Sequence, residues 1–428
     1  MAPDMNNYKA RTTCAFCGSR DLENIIDFGN VALAGGFLKP ENFPSEQRFP
    51  LRVHFCRECY ALQVLDIINP DVLFADYFYF SSAIQSLRDH FIDYADEVVP
   101  RFLDPANSTA VEIGCNDGIL LKPIADHGVH KVIGVDPATN IVRTINDPRI
   151  TIVNTFFSSA VAEQIRAEHG PAQLIVANNV YAHIPEINDV TRGIAGLLDK
   201  DGVFVFEVHY LGSVVKGLQY DMIYHEHLYY YSLLSLENHM SRHGLVVFDV
   251  KPVSIHGGSM RFYVCRKDGK HARKVSAQVH RLRKEELEQG YNRVDCFEQF
   301  AGEIARRKDR LMALLEEARE KGLRVAGYGA SGRANTIIQY CGITGNHIDY
   351  MIDDSSAKWG YYTPGSHIEV VSRDHLASKP PDYLLVFAWA YLNEIAGKCR
   401  GYLEQGGRLL TPLPEVRQVS HPRPERDR

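Results

Sequence analysis

An α/β fold in three parts is what this chain predicts, on three observations: four cysteines in two C-x-x-C pairs near the N-terminus, a strand, Gly turn and helix beginning near residue 109, and a second such unit beginning near residue 325. The 428 residues suffice for about three domains at roughly 150 residues each, with several hydrophobic cores. Composition is ordinary for a globular protein, with 45% apolar and 23% charged residues; 47 Lys and Arg against 53 Asp and Glu give a formal net charge of −6. Without a basic surplus, nucleic acid is not expected as a partner. No apolar run reaches the roughly 18 residues of a membrane span, and the N-terminus carries no signal-peptide stretch, so no membrane partner is expected and the chain reads as soluble and cytoplasmic. Nine cysteines, an odd count, exclude a complete intramolecular disulfide framework.

The first part, residues 1–75, holds Cys14-Ala-Phe-Cys17 and Cys56-Arg-Glu-Cys59. Each pair sets two thiolates on one tight turn, and two such knuckles supply the four soft ligands of a closed tetrahedral zinc site. A redox role fits less well, since no βαβ pattern surrounds either pair. Four thiolates leave no open position for a substrate, so this metal is expected to hold a domain together and to perform no chemistry.

The second part, residues 76–255, alternates buried strands and helices. Thr109-Ala-Val-Glu-Ile-Gly114 runs into a Gly turn and a helix; Val132-Ile-Gly-Val135, Leu174-Ile-Val-Ala177 and Val203-Phe-Val-Phe206 are further strands. The unit is a doubly wound, Rossmann-type sheet. Asp136 ends the second strand, the position of a ribose-hydroxyl acceptor, and ligands of such sheets sit at the carboxyl ends of the strands. GxGxxG is lacking. Glu112-x-Gly114-x-Asn116-Asp117-Gly118 instead has the form of an S-adenosylmethionine loop, in which no pyrophosphate is cradled. The expected cofactor-binding residues are Glu112, Gly114, Asn116, Asp117, Asp136 and Asn178, the last at the end of the third strand.

The third part, residues 256–428, opens with a charged helical stretch over about 277–320, where Arg281, Lys284, Glu285 and Glu288 form a solvated face. A Gly-rich turn with Ser331, Arg333 and Asn335 then precedes a helix, and strands follow at 348–352, 383–387 and 408–410. Free N–H groups at that helix start suit a phosphate, with Arg333 as charge partner, although Gly-rich turns are also commonly structural. The tail from Pro412 is expected to be a mobile end.

Chemistry points to Tyr224-His225-Glu226-His227. The histidines are i and i+2, not the i and i+4 of HExxH, so a metalloprotease-type site is disfavoured. Tyr224 and His227 are i and i+3, which places a phenol and an imidazole on one face of a helix. That pair suits proton abstraction next to a carbonyl, the imidazole removing the proton and the phenol donating to the enolate oxygen, with Glu226 orienting a histidine. His183 follows a strand end and borders the ligand crevice. Tyr77 and Tyr79 present two phenols at i and i+2.

Taken in order, the paired knuckles, VEIGCNDGILL, GVDPATN, NNVYAHI, IYHEHLYYYS, HGGS, GYGAS and YTPGSHI resemble the sugar C-methyltransferases that act on nucleotide-linked 4-keto-6-deoxysugars, over about residues 12–415. The resemblance implies a zinc-binding N-terminal domain, a central S-adenosylmethionine domain, and a C-terminal Rossmann-like domain that helps hold the sugar nucleotide, carried on thymidine or guanosine diphosphate. It implies His227 as base, with Tyr224, Glu226, His183 and one of Tyr77 and Tyr79 as companions. Ser331, Arg333, Asn335, His256 and Gly257 fall to the substrate, and Cys14, Cys17, Cys56 and Cys59 to zinc. The implied reaction is methylation at carbon 3 through an enolate. Sugar O-methylation and a non-catalytic binding protein on the same scaffold are the competing readings. The chain departs from the family pattern at VALAGGFL, at SGRAN, and at His209, where Pro is common.

Overall fold

The computed structural model describes residues 7–74 and 80–419; Tyr77 and Tyr79 lie outside the described residues. In the N-terminal unit, strands Leu22–Ala32, Arg48–Cys56 and Leu62–Val64 form an antiparallel sheet. Alternation along Arg48–Cys56 turns Phe49, Leu51, Val53 and Phe55 into the core. A fourth strand, Tyr229–Tyr230, comes from far down the chain and pairs with Leu62–Val64.

The central sheet has seven strands, in the order Leu245–Val253, Ser259–Arg266, Leu198–His209, Ala172–Asn178, Thr109–Ile113, Lys131–Val135 and Ile150–Val153. The last five in this order are parallel and read as nearly continuous apolar runs, as strands covered on both faces do. The first two form an antiparallel hairpin, and Ser259–Arg266 lies between its hairpin partner and Leu198–His209, so the central sheet takes in a strand from beyond the expected boundary at 255/256.

The C-terminal sheet runs Val370–Val371, Met351–Ile352, Val325–Tyr328, Tyr383–Val386, Arg408–Thr411 and Arg417–Val419, parallel except for the last strand. Its strand order is that of a doubly wound nucleotide-binding sheet. GxGxxG is present in the chain after all, as Gly327-x-Gly329-x-x-Gly332 at the first strand-to-helix turn of this sheet. At Gly327 a Cβ would run into Met351 Sδ and lie 3.1 Å from Phe387 Cε2, so a larger residue there would displace these side chains. The expected mobile end from Pro412 includes strand Arg417–Val419, held against Leu409–Thr411.

The charged stretch forms two helices, Ala277–Gln289 and Val294–Glu320, and Glu286 departs from the solvated face expected of the first. It is buried, accepting from the N–H groups of Leu233 (2.8 Å) and Leu234 (2.9 Å) and from the Tyr210 hydroxyl (2.9 Å). Glu286 thereby completes the N-terminus of helix Leu233–Arg242, where backbone donors have no intrahelical acceptor. Among the described residues no helix is long and apolar enough to cross a membrane. Glu286→Ala is expected to lower stability by about 2–3 kcal/mol in urea unfolding, because buried donors lose a charged acceptor. Glu286→Gln, which keeps an acceptor oxygen, should lose less, and the exposed Glu285→Ala should stay within about 0.5 kcal/mol.

Candidate functional site

The two knuckles meet. Sγ atoms of Cys14, Cys17, Cys56 and Cys59 all lie within 4.8 Å of one another, and the closest pairs, Cys14–Cys59 and Cys17–Cys56, are 3.5 Å apart. Four sulfurs so placed close a tetrahedral zinc site. Gln63 Nε2 donates to Cys14 Sγ (3.1 Å) while its Oε1 accepts from Ala15 N (2.9 Å), so Gln63 supports the ligand shell.

Gln63 also faces Tyr229 across the two strands, and this pairing carries the sheet to the catalytic candidates. Val64 N donates to Leu228 O (2.8 Å), and His225 Nε2 donates to Pro50 O (2.9 Å). Between these anchors Tyr224–His227 is not the expected helix but a tight turn closed by His227 N donating to Tyr224 O (2.9 Å). The turn brings i and i+3 together as a helix would. The Tyr224 hydroxyl lies 2.9 Å from His227 Nε2, with ring centroids 4.1 Å apart. His227 Nδ1 donates to Met222 O (2.7 Å); a carbonyl only accepts, so the neutral ring holds its proton on Nδ1 and its lone pair on Nε2.

His183 joins them, its ring 4.9 Å from that of His227. Burial pushes the His183 pKa down to about 4. Burial also holds His227 well below the usual imidazole range, helped by His183, His209 and Arg333 nearby. Glu226 orients neither neighbouring histidine, since both take backbone carbonyls; burial raises its carboxyl to about 7, and a Cβ built on Gly35 would lie 3.4 Å from its Oε1.

The expected cofactor residues gather at the carboxyl edge of the central sheet. Gly114 has φ +71°, and a Cβ there would lie 2.8 Å from Val180 Cγ2. Asp136 accepts from Asn116 N (2.9 Å) and Ala138 N (2.8 Å), pinning the loop. Glu112 is buried with Asn178 Nδ2 at 3.5 Å, and burial raises its pKa well above the carboxylate range. Glu112 Oε2, Asp117 Oδ1 and Asn178 Oδ1 are buried without a hydrogen-bond partner. Such orphaned groups fit a polar ligand like the amino-acid and ribose parts of S-adenosylmethionine. Ser81 N and Ser82 N donate to Asn116 Oδ1 and Asp117 Oδ2, both at 3.0 Å, so the segment before helix Gln85–Phe102 lies over this loop.

The third part faces the same place. Ser331 caps helix Gly332–Cys341 through Ala334 N (3.3 Å). A Cβ at Gly332 would lie 3.9 Å from Tyr224 Cε2 and 3.6 Å from Ala34 Cβ, so the Gly-rich turn, the Tyr224–His227 turn and an N-terminal loop converge. Arg333 is paired already: Nε lies 2.8 Å from Oδ2 of the buried Asp221, which also accepts from Trp389 Nε1 (3.0 Å). Arg333 Nη1 reaches His256 O (3.4 Å) in a loop where His256 (φ +56°) and Gly257 (φ +90°) are left-handed. Asn335 Oδ1 is buried without a hydrogen-bond partner among the described residues, while its Nδ2 is engaged. The residue is fully buried and donates to Ala34 O (2.6 Å), so it holds the N-terminal loop.

Sequence reasoning missed two groups. Buried Glu207 accepts from Arg261 Nε (2.6 Å) and from His90 Nε2 (2.8 Å), and His209 Nε2 meets Gln219 Oε1 (2.6 Å). Their signal was the polar pair Glu207 and His209 at the end of an apolar strand, at the edge where ligands bind.

Comparison with known proteins adds three family matches: a zinc binding domain over residues 14–74, a methyltransferase domain over 87–250, and a C-methyltransferase C-terminal domain over 254–414. The chain is 35% identical to C-methyltransferase NovU of Streptomyces niveus over 408 residues, covering 95% of this chain and 96% of that protein. Among solved structures, the CcbJ methyltransferase of Streptomyces caelestis matches 41% of this chain and 89% of its own at 14% identity, with a TM-score of 0.33. Magnesium protoporphyrin IX methyltransferase of Synechocystis matches 44% and 85% at 16% identity, with a TM-score of 0.32.

Because Tyr229–Tyr230 is a strand of the sheet that carries the zinc ligands, removing zinc with a strong chelator is expected to speed amide hydrogen exchange over residues 224–231. S-adenosylmethionine affinity, set in the central sheet, should stay within about twofold. Unchanged exchange in the turn would separate the two.

Proposed function

The chain belongs to the C-methyltransferase family, and from that premise we propose that it transfers a methyl group to carbon 3 of a nucleotide-linked 4-keto-6-deoxysugar through an enolate formed by His227. The observation that carries the reading is the tautomer of His227: Nδ1–H held by Met222 O, and the Nε2 lone pair facing the Tyr224 hydroxyl at 2.9 Å. A base and an oxyanion donor are thus side by side and fixed before substrate arrives.

Carbon 3 of such a sugar is acidified by the neighbouring ketone. His227 Nε2 takes its proton, the C–H electron pair moves to the ketone oxygen, and the Tyr224 hydroxyl, displaced from Nε2, donates to that oxygen. Bound S-adenosylmethionine supplies a sulfonium methyl, to which the enolate carbon is nucleophilic. The ketone re-forms with the new carbon–carbon bond, and the proton on His227 passes to solvent, a release favoured by the depressed pKa of this imidazole. Glu112, Asp117, Asp136 and Asn178 hold the cofactor, and Ser331, Arg333, His256 and Gly257 receive the sugar nucleotide, with a thymidine or guanosine diphosphate beside Arg333. Asp221 keeps that guanidinium in place in the free protein.

The test is incubation with a panel of 4-keto-6-deoxysugar nucleotides and labelled S-adenosylmethionine, read by mass spectrometry and by NMR for the methylated position. The expected product gains one methyl at carbon 3. Methylation at carbon 5, the other carbon flanking the ketone, would overturn the assigned position, and methylation on oxygen would overturn the enolate. His227→Asn should lower turnover by about 10²–10⁴-fold and abolish solvent deuterium exchange into the substrate, with cofactor affinity unchanged.

The pH profile provides a separate check. His227 must be unprotonated to act, and its burial, with Arg333 nearby, holds its pKa well below the free-imidazole value, so falling pH protonates it late. In Glu226→Gln, which removes the one carboxyl titrating near 7 in the turn, kcat/KM should stay level as pH falls through 6.5. An acid limb centred at 6.5 in that variant would contradict the burial of the base.

A further inference from the structure

His209 ends strand Leu198–His209, and its ring has no role in the reaction as described above. Its protonation state follows from a short chain of hydrogen bonds. Gln219 Nε2 donates to Gly257 O (3.0 Å), which a carbonyl can only accept, and this fixes the side-chain amide. Gln219 Oε1 is then the atom 2.6 Å from His209 Nε2, and an amide oxygen also only accepts. His209 therefore carries its proton on Nε2, and Nδ1 is a bare lone pair.

That lone pair is buried and has no partner among the described residues. Burial and the nearby Arg333 push the His209 pKa down to about 3, so the ring does not relieve the deficit by taking a second proton near neutrality. An unsatisfied buried acceptor is costly, and a site that leaves one open discriminates strongly for a ligand that supplies the missing donor. The ring is placed for a ligand. His209 pairs in register with Ser259, and through Gln219 its ring is tied to Gly257, next to His256, whose carbonyl takes Arg333 Nη1 (3.4 Å). It thus stands beside the proposed diphosphate site.

We propose that His209 Nδ1 accepts a hydrogen bond from a ring hydroxyl of the acceptor sugar, and so selects which ketosugar is methylated. This rests on the ketosugar reading of the site. Among the described residues no donor reaches this atom, and a hydroxylated ring held beside the base carries donors for which the site as described names no acceptor. The hydroxyl gives the site a preference that the base and the cofactor pocket do not supply.

The experiment compares the wild-type enzyme with His209→Leu and His209→Asn on the accepted 4-keto sugar nucleotide and on analogues each lacking one ring hydroxyl. For one analogue, wild-type kcat/KM should fall by about 10²-fold or more, the loss expected when a buried acceptor goes unmatched. In His209→Leu this discrimination should shrink to within about threefold, through loss on the full substrate. His209→Asn, which keeps an acceptor oxygen, should retain part of it. S-adenosylmethionine affinity should be unchanged in both. A Leu variant that keeps full discrimination, or a wild type that ignores every missing hydroxyl, overturns the assignment of His209 while leaving methylation standing. A wild type that methylates no ketosugar sinks the ketosugar reading and this proposal with it. If the Leu variant fails to fold, ¹⁵N NMR of the wild-type ring decides: the Nδ1 resonance should move on adding the accepted sugar nucleotide without cofactor, and an unmoved resonance overturns the proposal.

Discussion

The pairing of Tyr229–Tyr230 with Leu62–Val64 is the contact on which the site depends. The Tyr224–His227 turn is encoded between the central sheet and helix Leu233–Arg242, yet its backbone is fixed by the N-terminal sheet, through Val64 to Leu228 and His225 to Pro50. A free loop of this length samples many geometries, and ordering each residue costs about 1–2 kcal/mol. Here that cost is met by strand pairing and packing before any ligand binds, so base and donor are oriented in advance. A zinc site with no open position thus bears on chemistry without performing it. Gln63 shows the coupling most directly, touching Cys14 Sγ with its side chain and facing Tyr229 with its backbone.

Convergence of three units explains the electrostatics. The Gly332 turn, the N-terminal loop at Ala34 and the Tyr224–His227 turn pack together around a half-buried His227, and the loss of solvation keeps the imidazole neutral. Low basicity alone makes a poor base. In the proposed reaction it is offset when the ketone acidifies the carbon and when hydrogen-bond donors stabilise the enolate more strongly in a desolvated site than they would in water. Arg333 beside Asp221 shows the same balance, a half-buried cation paired with a fully buried carboxylate at the place proposed for an anionic ligand.

Much of this was legible in the sequence because it is local. The knuckles, the Gly114 loop and Asp136 are fixed by residue type and spacing, and the structure brings their members together. Tyr224 and His227 were legible as a pair for an incomplete reason: a helix was assumed, and a tight turn achieves the same approach. What was not legible is long-range. Nothing near Tyr229 says that its partner strand lies over 160 residues earlier, and nothing near Glu286 says that the N-terminus of another helix will need a buried carboxylate. That the central sheet runs on past residue 255 was not legible either, because a hairpin can extend a parallel sheet without interrupting the apolar pattern. Asn335 looked like a phosphate ligand by position, but its side chain is fixed by tertiary contact with Ala34.

The most direct measurement of the central claim is a crystal structure of the protein with S-adenosylhomocysteine and a 4-keto sugar nucleotide. His227 Nε2 should lie about 3–3.5 Å from the carbon that loses its proton, the Tyr224 hydroxyl should have moved onto the ketone oxygen, and Tyr229–Tyr230 should remain paired with Leu62–Val64. A sugar bound away from the turn, with the Tyr224 hydroxyl still on Nε2, would contradict the account.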